Sequence, residues 1–160
     1  MQKALQEPGC TEFQRTHKDP DTRFLKIGFV ECPIESGLSV LGKKWALLIL
    51  RDINAYKKDR FNQLLKSLPG ISPKVLATRL KELERAGLLA RVETRKSYPI
   101  KVRWALTEKG VDTLPILMMM TAFESKWYPD LIFEDKQPRK LREVFTDEAL
   151  ELVRSTLAGP

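Results

Sequence analysis

Between residues 33 and 88 apolar side chains recur every three or four positions, the spacing of one face of an α-helix. Ile34, Leu38 and Leu41 mark a first helix that opens at Pro33, whose fixed φ suits a first turn, and stops at Gly42. Trp45, Leu48, Ile49 and Ile53 mark a second, closed by the polar loop Asn54 to Arg60. Phe61, Leu64, Leu65 and Leu68 mark a short third, ended by Pro69-Gly70. Ser72-Pro73 opens a fourth: the serine hydroxyl can accept from an unpaired amide of the first turn, and proline there needs no donor. This helix runs to about Ala86, with Gly87 as its stop.

The period then changes. Leu88 to Thr94 and Val102 to Leu106 read as strands joined by Arg95-Lys96-Ser97-Tyr98-Pro99, a β-hairpin with a charged tip. Thr107 caps a further helix carrying Ile116, Met120, Phe123 and Trp127, widened by Leu117 and Met119; Pro115 kinks it or delays its regular part, and Pro129 ends it. Leu131-Ile132-Phe133, a helix over 138–144 and an amphipathic helix from Thr146 to Leu157, striped by Leu150, Val153 and Leu157, complete the chain. Residues 1–31 show little periodicity beyond one short piece, Phe24 to Val30. The order of elements describes a mainly α fold with a small β-hairpin wing: a winged helix-turn-helix with terminal helical extensions. The expected division is an N-terminal extension over 1–31, a winged-helix domain over 32–128 and a helical C-terminal extension over 129–160.

With 160 residues, 42% of them hydrophobic and 31% charged, the chain has the composition of one folded domain with extensions. The apolar run Leu114 to Phe123, broken by Pro115 and Thr121, falls short of the ~20 residues that span a bilayer. MQKALQEPGC lacks the apolar core of a signal peptide, so no membrane partner is expected. Cys10 and Cys32 form no CxxC pair, which points to a reduced, cytoplasmic protein. The single histidine, His17, stands in a polar stretch, which disfavours hydrolytic triads and metal sites. No enzyme activity, metal or cofactor is expected. Gly37-Leu-Ser-Val-Leu-Gly42-Lys43-Lys44 imitates a phosphate-binding P-loop, but Lys44 replaces the Ser or Thr that would hold magnesium, and the segment reads as a helix and turn.

The net charge is +7, and its placement is informative. Residues 32–73 carry seven basic and three acidic side chains, and residues 74–103 carry nine and three. The excess lies between Lys43 and Arg103, which points to a localised polyanion-binding face. Taking Leu76, Leu80 and Leu83 as the buried stripe of the fourth helix, steps of 100° per residue place Lys74, Thr78, Lys81 and Arg85 opposite, Val75 and Glu82 beside them, and Arg79 near the core edge. A capped helix with that face, followed by a basic hairpin, suits duplex DNA.

The stretches CPIESGLSVLGKKWALLILRDI, RFNQLLKSLPGISPKVLATRLKELERAGLLAR and PIKVRWALTEKG, within about residues 32–110, resemble HxlR-type winged-helix regulators, relatives of the MarR group. The resemblance implies a small dimeric DNA-binding repressor or activator, with Ile71-Ser72-Pro73-Lys74 leading into the recognition helix and Pro99 to Thr107 as the second wing strand. Ile100 and Arg103 depart from the family, which often has a second proline and an acid there. Some members sense electrophiles or oxidants through a cysteine near the start of the first helix, which is where Cys32 stands.

The expected function is that of a dimeric, sequence-specific regulator of transcription on double-stranded DNA. Lys43, Lys44, Arg79 and the wing residues Arg95, Lys96, Lys101 and Arg103 contact phosphates; Ser72 and Lys81 belong to the same face; Lys74, Val75 and Thr78 read base edges. A rival reading is a winged helix used for protein–protein assembly in a transcription complex, for which duplex binding would be weak; an enzyme with a nucleotide or thiol mechanism is the other. Trp45 and Trp104 read as core residues, and Met118-Met119-Met120 as a core or dimer helix or a small-molecule pocket. The apolar face of Leu114 to Tyr128 together with the last stripe predicts a homodimer. Cys32, before Pro33 at a helix N-terminus, has two readings: an oxidant-sensing thiolate favoured by the helix dipole but opposed by Glu31 and Glu35, or a packed residue anchoring the helix.

Overall fold

The computed structural model describes residues 31–94 and 101–159 of the chain. The described residues belong to two units, divided between Lys43 and Lys44. In the first, α1 spans Pro33–Leu41, with Cys32 as its extended N-cap and Pro33 in its first turn. The Ser36 amide donates to the Cys32 carbonyl at 3.0 Å. Gly37 lies inside this helix and Gly42 directly after it, so the P-loop-like string is a helix and a turn. A Cβ at Gly42 would stand 2.7 Å from the Leu38 carbonyl oxygen, which explains why the smallest residue closes the helix.

In the second unit α2 spans Ala46–Asn54, α3 Phe61–Ser67 and α4 Pro73–Arg85. The strands β1, Leu89–Thr94, and β2, Lys101–Leu106, pair antiparallel from Leu89 opposite Leu106 to Thr94 opposite Lys101. The C-terminal part holds α5 (Glu108–Val111), α6 (Leu114–Trp127), α7 (Pro129–Ile132), α8 (Leu141–Val144) and α9 (Asp147–Ala158). Pro115 delays the regular helix: α5 ends at Val111, and Pro115 occupies the first turn of α6. Thr107 and Thr146 cap α5 and α9 through hydrogen bonds accepted from Gly110 N–H and Ala149 N–H.

The stripes of α2, α3 and α4 supply the core, whereas Ile34 and Leu38 of the expected α1 stripe are exposed. Ile49, Leu50 and Ile53 of α2, Leu64 of α3, and Leu76, Leu80 and Leu83 of α4 are buried against Leu68, Ile71, Leu88, Leu89 and Trp104. Each such side chain contributes roughly 1.5–3 kcal/mol by leaving water. Trp45 departs from expectation. It stands in a left-handed turn before α2, with φ of 82°, and is half-buried rather than part of the helix's apolar face. Leu48 is likewise exposed.

Asp52 takes a place in the apolar stripe of α2 and is fully buried. It is satisfied there by Arg51, whose Nε and Nη2 donate at 2.9 and 2.7 Å, and by the Ser67 hydroxyl, so the carboxylate ties α2 to α3. In the C-terminal part the buried Ser125 hydroxyl donates to the Arg139 carbonyl and accepts from the Arg139 amide, both at 2.7 Å. A hydrogen bond from the Arg139 side chain, joined by one from the Gln137 amide, holds the Asp135 carboxyl below its ordinary value.

Candidate nucleic-acid interface

The recognition helix candidate, α4, is set by its two ends. The Ser72 hydroxyl accepts from Val75 N–H at 3.2 Å, and Pro73 fills the first turn. At the other end Gly87, with φ of 72°, lets the Leu88 amide reach the Leu83 carbonyl and its own amide reach that of Glu84, both at 2.9 Å. The Lys109 ammonium adds a bond to the Ala86 carbonyl at 2.8 Å. With Leu76, Leu80 and Leu83 buried, helical geometry turns Lys74, Thr78, Lys81 and Arg85 outward, and all four are exposed. Val75 and Glu82 are half-buried at the edges, as the 100° steps predict. The Thr78 hydroxyl donates to the Lys74 carbonyl at 3.0 Å, so these two residues are in register one turn apart.

Arg79 is engaged within the protein. Its Nε donates to the Lys44 carbonyl at 3.0 Å and its guanidinium pairs with Glu82 on the same helix. Helix α4 is thereby joined to the turn before α2, where the Lys44 ammonium lies 5.1 Å from the Trp45 ring centre. Arg103 is also paired, with Asp59 of the loop between α2 and α3 at 3.1 Å, and the neighbouring Trp104 amide donates to the Asp59 carbonyl at 2.8 Å. The loop thus holds the outer edge of β2, while β1 occupies the other.

The structure brings Lys44, Ser72, Lys74, Val75, Thr78, Arg79 and Lys81 into one region built on α4 and the turn bonded to it. Lys101 pairs with Thr94 in the ladder. Arg95 and Lys96, the expected tip of the wing, lie outside the described residues. Lys43 and Cys32 belong to the first unit, Lys43 exposed in its last turn and Cys32 half-buried at the head of α1. Sequence reading treated residues 54–60 as a polar connection and overlooked Lys57, Lys58 and Arg60, although three cations within four positions were visible there. Among the described residues no group of three or more His, Cys, Asp or Glu side chains is placed to hold a metal ion. No helix of the described residues is long and apolar enough to cross a membrane.

The sequence model of the HxlR-like helix-turn-helix family matches residues 40–131. An uncharacterized HTH-type transcriptional regulator of Bacillus subtilis, YdeP, is 36% identical over 72% of this chain and 88% of its own. The HTH-type transcriptional regulator YodB of the same organism is 37% identical over 63% of this chain and 89% of its own. The solved structure of YodB in its reduced form superimposes with a TM-score of 0.53 over 61% of this chain and 94% of that one. The redox regulator HypR in its oxidized form, 31% identical, does so with a TM-score of 0.52 over 59% of this chain and 96% of that one.

Proposed function

Because the chain belongs to the HxlR-like helix-turn-helix family and is a DNA-binding transcriptional regulator, we propose that it acts as a homodimer on a two-fold site in duplex DNA. In this reading residues 32–128 form the DNA-binding domain. The N-terminal half of α4 enters the major groove, and Lys74, Val75 and Thr78 read base edges. Ser72, Lys81, Lys43 and Lys44 serve the backbone, and the wing, with Arg95, Lys96, Lys101 and Arg103, follows the flanking backbone or a minor groove. Arg79 and Arg103 reach a phosphate while keeping the bonds to Lys44 and Asp59 that hold them, since each guanidinium has five donors.

The single observation that carries this reading is the exposed face of Lys74, Thr78, Lys81 and Arg85 on a helix whose first turn is capped by Ser72. Support for the dimer comes from α6. Ile116, Met119, Met120 and Phe123, with Leu157 of α9, line an open apolar groove of about 690 Å³, and Trp127 beyond it is 61% exposed. So much uncovered apolar surface marks an interaction face. For Cys32 the position at the N-cap of α1 supports an oxidant-responsive thiol, and HypR is named a redox regulator. The reading is tested by retaining duplexes from a random-sequence pool on the purified protein at moderate salt and sequencing them. The expected product is an inverted repeat with half-sites ~34–36 Å apart. Retention without an enriched sequence overturns specific recognition.

A further inference from the structure

We propose that the loop joining α2 to α3 is a second contact with the DNA backbone, in which Lys57, Lys58 and Arg60 each meet a phosphate beside the wing. The inference rests on the DNA-binding reading above and extends its surface. Within Tyr56 to Arg60 the one acid, Asp59, is already neutralised by Arg103 at 3.1 Å. Among the described residues no ion pair engages Lys57, Lys58 or Arg60. Lys57 and Arg60 are exposed. The Lys58 ammonium lies 5.5 Å from the centre of the exposed Tyr56 ring, and the Arg51 guanidinium lies 5.4 Å from the same ring. An ordinary solvated face intersperses both signs of charge; this one concentrates cations.

Place and rigidity strengthen the case. The loop leads directly into α3, the first helix of the helix-turn-helix, which crosses the backbone when its partner helix occupies the groove. Its other attachment is β2 of the wing, through the Asp59 carbonyl and the Trp104 amide at 2.8 Å. The cations therefore stand between two elements that face the backbone. The Lys58 amide donates to the Asp52 carbonyl at 3.0 Å, so both ends of the loop are fixed and little order has to be imposed on binding.

The test compares wild type with Lys57→Gln/Lys58→Gln/Arg60→Gln, leaving Asp59 to hold the wing. Affinity is measured against salt on a duplex that the wild-type protein retains from a random pool and on a shuffled duplex. Each phosphate contact contributes about 0.9 to the slope of log affinity against log salt. Because the dimer carries the three contacts twice, the expected result is a slope smaller by about 5, with the preference for the retained sequence unchanged. Lys136→Gln/Lys140→Gln, in the exposed C-terminal part, leaves the slope as it was. A wild-type slope in the triple variant overturns the proposal while the DNA-binding reading stands; a wild-type protein that retains no duplex from the pool overturns that reading itself. Should the triple variant unfold, Lys57→Gln alone decides: a slope lower by about 1.8, one contact from each protomer, supports the contact, and no change removes it.

Discussion

Lys74 and Thr78 stand one turn apart on the exposed face of α4, away from the leucines that hold the helix. Replacing both with Ala removes the two side chains proposed to read bases and no core contact. Discrimination between the bound sequence and random duplex falls by ~1–3 kcal/mol for each lost base contact, and the unfolding temperature hardly moves; unchanged discrimination takes both residues out of the reading head. Ser125 works in the opposite sense. It is 1% exposed and satisfies both backbone groups of Arg139, so Ser125→Ala leaves an amide and a carbonyl without partners. The expected loss is ~1–3 kcal/mol, read from urea unfolding, with intrinsic DNA contacts intact. For Cys32, peroxide or a quinone is expected to release DNA from the wild-type protein, reversibly with thiol, while Cys32→Ser stays bound. Equal sensitivity of the two proteins would end the redox role.

At the scale of elements, a few close backbone approaches orient α4 against the hairpin. Gly110 of α5 is buried against β1's approach: a Cβ there would come within 2.1 Å of the Leu88 carbonyl oxygen. That oxygen also accepts the Thr107 amide at 3.2 Å, and the Thr107 hydroxyl bonds the Gly87 carbonyl. The junction that ends α4 and the junction that ends the hairpin are thus the same place. Gly110→Ala must push one backbone off the other, and overpacking of this kind costs typically 1–3 kcal/mol. A thermal midpoint several degrees below wild type is expected at ~2–4 °C per kcal/mol for a chain of this size; an unshifted midpoint would show that the junction yields.

For the whole molecule, the apolar side chains that helical spacing groups on α6 divide in an informative way. Met118 is buried, whereas Ile116, Met120, Phe123 and Trp127, the stripe legible in the sequence, are exposed between 42% and 61%. A stripe that one chain leaves uncovered fits a second chain. Light scattering at micromolar concentration should give a dimer for wild type. Phe123→Glu with Leu157→Glu should give a monomer that binds DNA more weakly, because each monomer then holds one half-site. A wild-type monomer would contradict the assembly.

Caps, stops and stripes are short-range chemistry, and the sequence by itself determined them. Ser72-Pro73 before a leucine stripe, Gly87 after it, and the change to a period of two at Leu88 specify a capped helix followed by a hairpin, since each signal acts within a few residues. The exposed face of α4 followed from the same periodicity. Tertiary structure decided what depends on residues distant in the chain. It set the pairing of Arg103 with Asp59 and of Arg79 with the Lys44 carbonyl. It turned Trp45 out of α2 into a left-handed turn and buried Asp52 where Ser67 and Arg51 satisfy it. Periodicity tells which side chains share a face; only the packed chain supplies the partner that a charge or a buried oxygen must find.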